Sequence, residues 1–279
     1  MPIHDQSYRR YAGRRDLAGQ AWMVIARNGI RTILRKRLFL GLLVAAWIPF
    51  VVGAVIVYLR ANFPQFTLLS ITAQRFREFL GTQDIVVFFI TIWVGAGLVA
   101  NDKRANALQI YLSKPLTRVE YIVGKLVILG TFLLMVTWVP AIMLLFLQVA
   151  FTGSFSFLRE NLYLFPAVTV FAGLQVLLAA FTMLALSSLS KSSRYVAILY
   201  AGAYWFSHAV FGVIYAVTGS TKLSWISLPG NLNQLGDLIF RLQPRYSTPA
   251  AVSALAMVAV IAASIWVLER RIRGVEVVQ

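Results

Sequence analysis

The chain has no cysteine in 279 residues. That excludes disulfides, thiol nucleophiles and cysteine-based metal sites. Charge is scarce as well: Asp, Glu, Lys and Arg make up 13% of the residues, against roughly 25% in an ordinary soluble domain. Acids are scarcest, 10 against 26 Lys and Arg. Histidine occurs twice, as His4 and His208. No G-x-x-x-x-G-K-[ST] phosphate loop is present, and Gly124-Lys125 is a lone pair. H-E-x-x-H and G-x-S-x-G are missing too. The sequence therefore supplies no catalytic residues and no metal site, and no cofactor is expected in the chain itself.

What is abundant is apolar: 59% of the residues are hydrophobic and mean hydropathy is +0.74. Continuous apolar runs of about 20 residues recur along the chain, the pattern of an all-α polytopic membrane protein. A transmembrane barrel would alternate instead. Six spans are drawn at 38–59, 85–100, 121–151, 162–189, 194–217 and 249–268. The first run begins near Leu38, too far in and too long for a signal h-region, so no cleavable leader is expected. Pro49 and Pro140 fall inside spans and are expected to kink them. The chain divides into an N-terminal tail and elbow, 1–37, and a six-span membrane domain, 38–279.

Placing the N-terminus on the cytoplasmic side puts 19 of the 26 Lys and Arg inside and 7 outside. Six spans with both ends cytoplasmic satisfy the positive-inside rule, and an odd number would spoil the balance. The net charge of +16 is thus spread over span flanks facing anionic lipid, not gathered in a groove for nucleic acid.

Before the first span, Trp22, Ile25, Ala26, Gly29, Ile30, Ile33 and Leu34 repeat at helical spacing, with Arg27, Arg31 and Arg35 opposite. This predicts an amphipathic helix in the cytoplasmic interface, apolar side in lipid. It serves as a basic membrane anchor or as an elbow packed beside a partner subunit. Between the fifth and sixth spans, Leu232, Leu235, Leu238 and Ile239 predict an outer helix, either re-entrant or resting on the bilayer. The loop 60–84 reads as a short outer helix. His208 lies in the fifth span, as a pathway residue or a packed, hydrogen-bonded histidine.

The polar island at 101–125 separates two apolar spans. Residues 102–112 are good helix formers, with Leu108, Tyr111 and Leu112 on one face. Pro115 ends that helix and drives Lys114 out of helical geometry. Thr117 and Glu120 form a capping box, so the third helix is expected to start at Arg118. Gly95 and Gly97 allow a bend or close packing just upstream. The central thirds of the spans hold almost no ionisable residues, whereas ion-coupled carriers usually keep an intramembrane acid. Gln148, Gln175, Thr137 and Ser207 are the polar candidates. The sequence of the domain holds no energy source of its own, and transport would need work delivered through the cytoplasmic face.

The stretch from Gly95 to Asp102, then Ala107 to Arg118 with Ser113-Lys-Pro115, then Tyr121-Ile-Val-Gly124-Lys125, resembles permease subunits of the type-2 ABC exporter family. Many members of that family carry Glu where Asn101-Asp102 stands. The resemblance implies a permease half that forms a homodimer or heterodimer with a second permease copy and docks on a pair of cytoplasmic ATP-binding subunits holding ATP and magnesium. It implies a coupling helix in the island. Its ATPase contacts would be Asp102, Lys103, Arg104, Leu108, Tyr111, Leu112, Ser113, Pro115 and Arg118, with Lys191 and Arg194 in a smaller second contact. Trp22, Arg27, Arg31 and Arg35 would mark the elbow. The location implied is the bacterial inner membrane, and the substrate, of hydrophobic or amphipathic character, is unspecified. The alternatives are a non-transporting scaffold or assembly subunit and an ATP-independent carrier.

Overall fold

A computed structural model describes residues 20–63, 72–107, 116–152 and 161–272. Among the described residues the chain is helical and contains no strand. Six helices are long and apolar enough to cross a membrane: Arg37–Asn62, Ala73–Arg104, Arg118–Phe151, Leu164–Leu189, Ser193–Thr218 and Ala250–Arg271. They correspond one for one to the six spans read from the sequence.

Both expected proline breaks occur. In span one, helix Arg37–Ala46 gives way at Trp47 to Ile48–Asn62, with Pro49 in the first turn of the second piece. In span three, Arg118–Val136 is followed by Trp138–Thr152. Pro140 has no N–H to offer the Val136 carbonyl four residues back, so the ladder is interrupted there. The Thr137 hydroxyl donates to the Leu133 carbonyl at 2.8 Å, within the same break.

Span two departs most from its drawn boundaries. It begins at Ala73, so the short outer helix expected before it is its first turns, Ala73–Thr82. Asp84, outside the drawn span, lies inside the observed one. Farther along, Thr91–Gly95 winds as a π-helical turn, a feature frequent at functional sites. An added Cβ on Gly95 would stand 2.4 Å from Met183 Cγ and 3.0 Å from Leu129 Cδ2. Only glycine lets spans two, three and four converge so closely there.

Span four is the axis of the fold. It packs against spans two, three, five and six and is apolar all round, as a buried helix should be. Spans one and five are peripheral; Val44, Val55, Phe206 and Val217 are at least half exposed. Phe39 and Phe132 hold span one to span three edge-to-face, centroids 4.9 Å apart.

The amphipathic helix forms as Ala21–Leu34, but its apolar stripe is largely taken up by protein rather than left to lipid. It packs along span three, burying Ala26 and Ile33. Gly29 and Gly124 make this possible: a Cβ on Gly29 would meet Ile128 Cδ1 at 2.2 Å, and one on Gly124 would meet Ile25 Cβ at 3.0 Å.

Before span six, Leu228–Ile239 is helical. Leu232 and Leu235 are buried, while Leu238 is exposed. The face turned into the protein also carries Asn231, Gln234 and Asp237. Ser227 caps the helix by accepting from the Gly230 amide at 3.0 Å, and His208 Nδ1 lies 3.0 Å from the same hydroxyl. His208 is thus hydrogen-bonded, and it also stands in the wall of a cavity with Asp84, Tyr204 and Trp205.

Candidate functional site

The ends of the polar island are fixed by one small cluster. At the foot of span two, helix Ala100–Arg104 carries Asp102. Span three brings Tyr121 and Lys125, one turn apart on the same face. Lys125 Nζ lies 2.7 Å from Asp102 Oδ2, and the Tyr121 hydroxyl donates to the same oxygen at 2.7 Å. The ammonium also lies over the Tyr121 ring, 5.3 Å from its centroid. Tyr121 and Lys125 are buried, so the pair is shielded from the screening that weakens surface ion pairs.

Span four completes the foot. Ser187 Oγ accepts from the amides of Val99 and Ala100 at 3.1 and 3.0 Å and donates to the Ala96 carbonyl at 2.9 Å. One hydroxyl thus satisfies two amides at the start of helix Ala100–Arg104, which otherwise lack partners. Lys103 Nζ donates to the Ser188 carbonyl. Lys191 and Arg271 lie near enough to repel it electrostatically, so cations gather where spans two, four and six end.

On the span-three side the capping box is complete. Thr117 Oγ1 accepts from the Glu120 amide at 3.2 Å, and the Glu120 carboxylate accepts from the Thr117 amide at 2.9 Å. The helix starts at Arg118, as the sequence indicates. Among the described residues the island's first helix is interrupted rather than continuous from Asp102, and Ala107 beyond the break is helical again. The first piece stops at Arg104, and Asn106 adopts the left-handed conformation, φ 52°. Asparagine tolerates that region better than most residues, and so breaks the helix without proline.

Asp102 and Lys103 are thus anchored, while Arg104 and Arg118 are exposed. Leu108, Tyr111, Leu112, Ser113 and Pro115 lie outside the described residues. Lys191 and Arg194, flanking the short turn between spans four and five, are exposed. Trp22 is half-buried against span three, and Arg27, Arg31 and Arg35 are exposed. Reading the sequence for charge and apolar anchors passes over Tyr121, Lys125 and Ser187 as site residues. The spacing of Tyr121 and Lys125 placed them on one helix face with an acid close before them. Nothing local in the sequence marks Ser187, 87 residues from the amide it holds. Among the described residues no group of three or more His, Asp or Glu is placed to hold a metal.

The fold and this foot define a polytopic helical membrane protein whose second and third spans are locked around a basic connection. The sequence model of the ABC-2 family transporter proteins matches residues 23–268. The chain belongs to that family, and its role is that of a membrane component of ABC transport. Comparison with curated proteins returned no match.

Proposed function

We propose that the chain is the permease half of an ATP-driven exporter in the bacterial inner membrane. Both termini are cytoplasmic, and residues 38–279 form the transport domain with 1–37 as tail and elbow. A pair of separate ATP-binding subunits, holding ATP and magnesium, docks on the island, and a second permease copy completes the membrane dimer. The observation that carries this reading is the Asp102–Tyr121–Lys125 cluster. A flexible tether would dissipate any push applied to the island. Here both ends of the connection are fastened together, so displacement is passed to spans two and three as a unit.

From Asp102 the load path runs to the π-helical turn and Gly95, where span two departs from regular α-helical hydrogen bonding and packs closely on spans three and four. Such a point is suited to switch between two packings when the dimer moves between inward and outward states. Arg104, Arg118, Lys191 and Arg194 supply exposed cations for an acidic groove on the ATPase, and Leu108, Tyr111 and Leu112 supply the apolar anchors. ATP hydrolysis belongs to the partner.

The test is co-purification. Arg104→Glu combined with Tyr111→Ala and Leu112→Ala should abolish recovery of the ATP-binding subunits with the tagged permease while leaving the permease folded. Recovery equal to wild type would remove the island as the docking element. A second reading, an ATP-independent carrier, is favoured by Asp84, which lies inside span two. Uptake into liposomes driven by an ion gradient with no ATPase present would establish it.

A further inference from the structure

Asp84 takes no part in the coupling foot. Gln175 Nε2 donates to its Oδ1 at 2.5 Å. Its other oxygen accepts no hydrogen bond among the described residues, and Asp84 forms no ion pair among them. Arg77 and Arg245 act on this carboxylate only through space, and a carboxylate within a span that is left with a free oxygen and no cation in contact points to a ligand.

Two cavities meet at this side chain. The inner one, about 30 Å³, lies between spans two, four and five, with room for a group the size of a water molecule. The outer one, about 250 Å³, opens between spans two and five, where Ile85 and Trp205 are about half exposed. Asp84, Phe88 and Tyr204 stand in the walls of both.

The inner cavity is rich in acceptors. Gln175 is 2% exposed, and its Oε1 has no hydrogen-bond partner among the described residues. Thr182 Oγ1 is likewise unpartnered there. With the free Asp84 oxygen, these atoms call for a compact donor of several hydrogen bonds that also carries positive charge. The outer cavity is aromatic. The Phe88 ring lies 5.5 Å from Tyr204 and 5.8 Å from Trp205, and those two lie 5.6 Å from one another. These rings meet tilted or edge-to-face, and an aromatic wall of this kind covers an apolar body and favours a nearby cation.

We infer that the two cavities together bind a primary alkylammonium. Its –NH3+ group sits in the inner cavity against Asp84 and Gln175, and its carbon body lies on Phe88, Tyr204 and Trp205. A quaternary ammonium has no N–H to give and is too wide for the inner cavity. The amine is either a free alkylamine or the headgroup of an aminophospholipid reached through the lateral opening. That this ligand is also the exported cargo rests on the permease reading above; its binding does not.

The test uses the full chain in phosphatidylglycerol nanodiscs, titrated with dodecylamine near neutral pH and corrected for partition into empty discs. Asp84→Asn keeps the acceptor for Gln175 and removes the charge, and should weaken binding at least tenfold. Dodecanol and dodecyltrimethylammonium should each bind wild type at least tenfold more weakly than dodecylamine. Trp205→Leu, at the exposed rim, should weaken dodecylamine severalfold. Equal affinity of wild type and Asp84→Asn, or equal binding of either analogue, overturns the assignment. Should Asp84→Asn not fold, unchanged affinity in Trp205→Leu overturns it. Replacing part of the lipid with phosphatidylethanolamine separates the sources: competition supports the headgroup, and undiminished dodecylamine binding supports a free amine. Loss of ATPase docking in the island variant leaves all these results untouched, so the two readings fail separately.

Discussion

The two ends of the membrane domain are each fastened by a carboxylate and a cation, but they are fastened differently. At the island end, Asp102 meets Lys125 and Tyr121, 23 and 19 residues later in sequence, across one connection. At the opposite end, Arg77 of span two reaches across the fold to the helix before span six. Its Nε lies 3.4 Å from Asp237 Oδ1, and its Nη2 donates to Asn233 Oδ1 at 2.6 Å, 156 residues away. The guanidinium is 1% exposed. It sits 4.6 Å over the Phe171 ring, in space left by a glycine: a Cβ on Gly236 would lie 2.4 Å from Arg77 Nε. Arg245 approaches the other Asp237 oxygen at 2.8 Å but is 45% exposed. The first fastening joins neighbours and can move as one piece. The second ties distant elements and resists movement.

Breaking the long-range tie should cost most. Arg77→Met leaves Asp237 and Asn233 without their buried partner and should lower stability by about 3–5 kcal/mol, the range for one partner lost from a buried pair. Unfolding in mixed micelles measures this, and a loss below 1 kcal/mol would mean that the tie is incidental. Next comes Lys125→Ala, expected to lose ~1–3 kcal/mol because Tyr121 still serves Asp102. Lys125→Arg should recover only part of it, since a planar guanidinium does not replace a compact ammonium. Thr117→Ala removes the cap of span three and should lose about 1 kcal/mol. It should also raise amide exchange in the first turn of that helix and nowhere in spans four to six. The smallest effect is expected at Arg245→Ala, under ~1 kcal/mol, because solvent screens that partner. If Arg245→Ala equals Arg77→Met, burial is not what separates the two cations.

The proline breaks and the start of span three are legible in the sequence, because their determinants are local. Pro49, Pro140 and the Thr117–Glu120 box act within one helical turn, so their positions alone predict the breaks and the start of span three. The break after Arg104, with Asn106 left-handed, is local as well, but left-handed asparagine competes with good helix formers around it, and propensity favours an unbroken helix. Asp84 is obscured for a different reason. A hydropathy boundary is drawn where charge begins, whereas the helix carries on through polar residues once Gln175 and the surrounding rings accommodate them.

Apolar run length determined the six spans, since it reflects the bilayer as solvent and needs no knowledge of neighbours. Only the tertiary structure decided which span is central, that the amphipathic helix packs on span three, and that Arg77 closes on Asp237. These are choices of partner among helices of nearly equal greasiness. They are settled by where a glycine permits close approach and where a buried charge finds its counter-charge, and neither pairing is encoded in any short window of the chain.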